Sequence, residues 1–161
     1  MRLKYGPGVF PVAPAVPMRA RVEALQAAMV QLPPVDCPIR HHFADGLYAR
    51  EMSVPAGAVV VGAVHKTSHL ILVTKGRLQI VTPDGTREVS AGDVIQCAAG
   101  MKNAMVALED SKWVNLLSNP GNETDTDLLV EVFTESTAAE LLRGKANKQL
   151  MAQADFKKVE A

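Results

Sequence analysis

Between residues 47 and 118 the chain alternates short apolar runs with turn residues. LYAREMS, AVVVGAV, HLILVTK, RLQIVTP, DVIQC, AMVALE and KWVNLLS are rich in β-branched and apolar side chains. Between them stand Pro55-Ala56-Gly57, Pro83-Asp84-Gly85, Ala91-Gly92-Asp93 and Glu109-Asp110-Ser111, all with turn chemistry. Pro83-Asp84-Gly85 is the best hairpin signal, because Gly takes a left-handed position after a type I turn. Short strands at this regular spacing, with no long helices between them, predict an all-β sandwich or barrel.

The flanks read differently. Residues 1–40 form an N-terminal segment in which Pro7, Pro11, Pro14 and Pro17 favour an extended arm that pairs poorly in a sheet. Met18, Val22, Leu25, Met29 and Leu32 then recur at helical spacing, with Pro17 suited to the first turn and Pro33-Pro34 as a stop. That amphipathic helix packs either on its own barrel or on a neighbouring subunit. Residues 119–161 form a C-terminal extension. Its DLLVEVFTES stretch is ambiguous, since β-branched residues favour a strand while Thr124 and Asp127 suit a helix start. Thr137-Ala138-Ala139-Glu140 is a capping box that predicts a C-terminal helix.

Length and composition narrow the options. A chain of 161 residues suits one domain and builds a real core without staples. Seventeen basic residues balance seventeen acidic ones. A nucleic-acid binder normally carries a basic surplus, so no nucleic-acid partner is expected, and zero net charge removes a barrier to self-association. No apolar run approaches the roughly 20 residues of a membrane helix, and the start lacks a signal-peptide core. A soluble protein made in the cytoplasm is expected, with Cys37 and Cys97 as reduced thiols. Trp113 sits in an alternating strand and is expected in the core.

Two stretches carry a resemblance. GAVHKTSHLILVTKGRLQI resembles the first cupin motif, in which a Gly precedes a His-x-His pair, an acidic ligand follows and a Gly closes the turn. AGDVIQCAAGMKNAMVAL resembles the second, usually Gly-Asp, then Pro-x-Gly, then His. The resemblance covers about residues 42–118 and implies an all-β cupin jelly-roll barrel, placed at 41–118. The segment from His41 to Leu78 also looks like small cupins encoded in tailed-phage genomes. Aligned on Gly76, His65 takes the place of the second motif His and His69 that of the acidic ligand. Ala63 stands where the first His belongs, and Asn103 where the second motif has its His.

Two conventional ligand side chains therefore remain. On one straight strand His65 and His69 would lie about 13 Å apart at ~3.3 Å per residue. If Lys66-Thr67-Ser68 form a turn, the imidazoles face each other at the barrel mouth. A catalytic zinc or iron site wants three protein ligands and an open position. Asn103, or His41 or His42 from the preceding segment, would have to complete it. Either the pair binds a divalent metal, or it hydrogen-bonds in a mouth that holds none. Asp45 and Glu51 are the nearest carboxylates, with nothing in their spacing to assign them a role.

Two functions follow as expectations. The first is a non-enzymatic structural protein, a phage virion component such as a capsid decoration or tail-associated protein, with no catalytic residues. Its partners are copies of itself and other virion proteins. The second is a small metal-dependent enzyme acting on a small polar substrate.

Overall fold

A computed structural model describes residues 18–82 and 85–136. The Pro-rich arm, Pro83-Asp84 and the capping box at Thr137 with its predicted helix lie outside the described residues. The described elements are α1 (Met18–Met29), β1 (Ile39–Ala44), β2 (Gly46–Val54), β3 (Val59–Val61), β4 (His69–Lys75), β5 (Arg77–Thr82), β6 (Gly85–Ser90), β7 (Val94–Cys97), β8 (Ala104–Ala107), β9 (Ser111–Asn119) and α2 (Thr126–Phe133).

The strands form two antiparallel sheets, ordered β1-β2-β9-β4-β7 and β3-β8-β5-β6. Apart from the added edge strand β1, this is the eight-strand jelly-roll order, in which the chain passes back and forth between facing sheets. Alternation along the strands supplies the inner face. In β9, Ser111, Trp113, Asn115, Leu117 and Asn119 are buried while the residues between them are more exposed.

Two apolar clusters fill the interior. The larger joins Met52, Val54, Ile71, Val73, Leu78, Ile80, Val89, Met105 and Trp113. The smaller joins Tyr48 and Leu117 to Leu129 and Phe133 of α2. This settles the ambiguous stretch as a helix. Asp125 caps it, accepting hydrogen bonds from the backbone N–H of Asp127 at 3.0 Å and Leu128 at 3.2 Å. Leu129 and Phe133, four residues apart, give it one buried face.

The turn-closing glycine of the first motif has a steric cause. Gly76 adopts φ 76°, and a Cβ there would meet Ser111 Oγ and stand 2.6 Å from the carbonyl oxygen of Asp110. The α1 stripe is only partly used. Val22 is buried, whereas Leu25 and Leu32 are exposed and the helix ends before Leu32. Arg19 of α1 bonds Glu135 at 2.8 Å, beyond the end of α2.

Candidate functional site

Reading across the five-stranded sheet, one inward row runs His41, Arg50, Asn115, Ile71, Ile95, each facing the next. Along β2 the inward residues are Tyr48, Arg50, Met52 and Val54, so Arg50 falls between the two apolar clusters. Asn115 does the same on β9, between Leu117 and Trp113. That row is polar from His41 to Asn115, a partial polar layer between the apolar clusters, and turns apolar at Ile71 and Ile95.

His65 and His69 join that layer. His69 opens β4 opposite Cys97. His65 precedes the 66–68 turn, and its backbone is pinned twice. The N–H of Gly100 donates to its carbonyl at 2.8 Å, and a single bridge pairs it with Thr134 just after α2. The turn brings the imidazoles together as the sequence suggested, with ring centroids 4.0 Å apart and planes tilted by 29°. Burial pushes the His65 pKa down to about 4, helped by the neighbouring His69 and the charge of Arg50. Burial also lowers that of His69, opposed by a hydrogen bond with the backbone of Thr67. Both rings are therefore neutral at pH 7.

Asn103 lies in the same interior. Its amide donates to Cys97 Sγ at 3.3 Å, and burial raises the thiol's pKa against that bond. The two cysteines are free thiols, Cys97 buried and Cys37 partly so. Beside Asn103 and Cys97 lies a cavity of about 120 Å³, bounded by Ile71, Ile80, Ile95 and Met105.

His42 is not brought to the pair. It faces Ala49 on the outer side of the sheet and lies 3.4 Å from Glu51, which also bonds Lys112 at 3.1 Å. His41 shares a face with Arg50 but stays exposed at the sheet edge, its Nδ1 2.8 Å from the Tyr48 hydroxyl.

Two imidazoles alone, with ring centroids 4.0 Å apart, fall short of the three protein ligands of a catalytic zinc or iron site. Among the described residues no group of three His, Cys, Asp or Glu side chains is placed to hold an ion.

Arg50 is the residue that motif reading passes over. Burial pulls its guanidinium below its ordinary pKa, with Tyr48 opposing. Counting by twos along LYAREMS would have placed it inside with Tyr48 and Met52.

No family model matches the chain, and no curated protein does. Solved structures are similar. The structure of KdgF from Halomonas sp. is 21% identical, covering 56% of this chain and 89% of that one at TM-score 0.46. A cupin-2 domain containing protein from Shewanella frigidimarina is 17% identical over 63% and 99%, at 0.45. A cupin 2 conserved barrel domain protein from Salinispora arenicola is 16% identical over 57% and 85%, at 0.46. In fold alone, the chain is similar to cupin-domain proteins.

Proposed function

We propose that the protein is a non-enzymatic structural module that assembles with copies of itself through the outer face of the five-stranded sheet. The observation that carries this reading is a block of outward apolar side chains at the centre of that face. Leu70 faces Leu116, and Leu72 faces both Val114 and Val94. Leu70 is 42% exposed, Val94 55% and Leu116 37%. The solvated face of an antiparallel sheet is normally polar, and a contiguous apolar patch there marks an interaction surface.

A second copy suits this face. A twofold axis presents the same patch from both sides, and zero net charge leaves no overall repulsion. Glu51 and Lys112 lie at the border of the block as an opposite-charge pair, able to exchange partners across the axis.

The finer reading, a tailed-phage virion component, draws on the likeness of residues 41–78 to small cupins of tailed-phage genomes and predicts co-purification with particles. The alternative, a metal-dependent enzyme, requires a third ligand to join the two imidazoles. Light scattering on the wild type and a Leu70→Glu/Leu116→Glu variant tests the assembly. The wild type is expected as a dimer and the variant as a folded monomer. A monomeric wild type, or a variant of unchanged mass, overturns the proposal.

A further inference from the structure

We propose that the outer face of α2 is the docking site of this chain's own C-terminal segment, which folds back from Thr137 and lies antiparallel along the helix. This goes beyond the assembly role and uses a different surface.

Only one side of α2 meets the barrel. Leu129 and Phe133 are buried, while Leu128 and Val132, one residue before each, are 44% and 50% exposed. Asp127 and Glu131 are exposed beside them. Residues four apart stand above one another on a helix, so the outer face is an aliphatic row flanked by a carboxylate row. The surrounding stretch is acidic throughout. Glu123, Asp125, Asp127, Glu131 and Glu135 have no Lys or Arg among them between Pro120 and Ser136.

The occupant follows from where the chain goes and from its charge. The N–H of Glu135 donates to the carbonyl of Val64 at 2.9 Å, which fixes the exit from α2. The N–H of Ser136 donates to Thr134 Oγ1 at 3.2 Å, a side-chain turn that bends the backbone. Only Thr134, Glu135 and Ser136 separate Phe133 from the capping box at Thr137, a connection suited to an antiparallel helix pair. In that pairing the first two turns after Thr137 run back beside the last two turns of α2. They carry Leu141 and Leu142, apolar partners for Leu128 and Val132. Arg143, Lys145 and Lys148 follow, with no acidic residue between Leu141 and Ala154, opposite in sign to the carboxylate row. A segment this short forms little helix alone in water, so its helicity requires a face to pack on. The short tether presents that face at an effective concentration on the order of millimolar, ahead of a partner from solution. A second copy of α2 would bring the same acidic flank and be repelled. Docked, the segment braces α2, whose end holds Val64 and Lys66 of the barrel through Glu135 and the Phe133 carbonyl.

Hydrogen exchange read by mass spectrometry on the full chain tests this. In the wild type, amides between Ala138 and Gln149 are expected to exchange about tenfold or more slower than in the unfolded chain. Leu128→Gln/Val132→Gln changes two exposed side chains and is expected to abolish that protection while the amides of β9 stay protected. The Leu70→Glu/Leu116→Glu variant of the assembly test is expected to keep it, as is the wild type on dilution, because the contact lies within one chain. The proposal is overturned if the wild-type segment exchanges at the unfolded-chain rate, or if the glutamine variant is protected as the wild type is. Protection lost on dilution would put a second copy's segment on the face and overturn it equally.

Discussion

His65 should make the barrel sensitive to mild acid. In the folded protein its pKa lies at about 4, below its ordinary value of 6.5, because burial, His69 and Arg50 all oppose its protonation. The unfolded chain takes up this proton below about 6.5 and the folded chain does not, so the native state loses ground as pH falls through that window. No penalty exists above it. Each pH unit within it costs about 1.4 kcal/mol. From this one residue the loss is therefore about 2 kcal/mol at pH 5 and about 3 kcal/mol near pH 4. His69, also lowered, adds in the same direction. Working between pH 7.5 and 5 keeps the carboxylates largely ionised, so the His contribution stands apart. Trp113, the single tryptophan and 1% exposed, reports unfolding by fluorescence. Urea denaturation of the wild type and His65→Gln at equal protein concentration measures the difference. The variant should lose about 2 kcal/mol less than the wild type between those pH values. Equal losses in the two proteins would refute the burial of a neutral His65.

Other substitutions probe other parts of the account. Gly76→Ala places a Cβ against Asp110 and Ser111 at a left-handed backbone position, and should cost about 2–4 kcal/mol in the same urea assay. Asp125→Ala removes the acceptor at the start of α2 and should cost about 1 kcal/mol, with faster hydrogen exchange at Asp127 and Leu128. Arg50→Met removes a partly buried charge that no carboxylate pairs with among the described residues. It should raise the stability of the protein by about 1 kcal/mol or more, and a loss of stability would show that Arg50 serves the fold.

The strands that were legible were those with one buried face. HLILVTK is β4 itself, because its burial alternates as the periodicity says. IRHHFA gave no such signal. As β1 it lies at the sheet edge and is largely exposed, so nothing forces apolar residues onto alternate positions. GTREVS, the edge strand β6, is polar for the same reason and shows itself only through the hairpin turn before it. In α2 the β-branched residues obscured a helix that depends on the Asp125 cap and on Leu129 and Phe133. The imidazole pair was legible because a turn at 66–68 is the only short route that brings His65 to His69. The pinning of the His65 backbone by Gly100 and Thr134 was not, since both are distant in sequence. Arg50 was hidden by its ordinary look: a lone Arg in a strand reads as solvent-facing until the parity of its neighbours is counted.

Native mass spectrometry of protein purified without chelator addresses assembly and metal together. A barrel that pairs through its outer sheet, and whose imidazole pair finds no third ligand among the described residues, should appear as a dimer with no divalent metal in stoichiometric amount. A monomer, or a dimer retaining one metal ion per chain, would contradict the account.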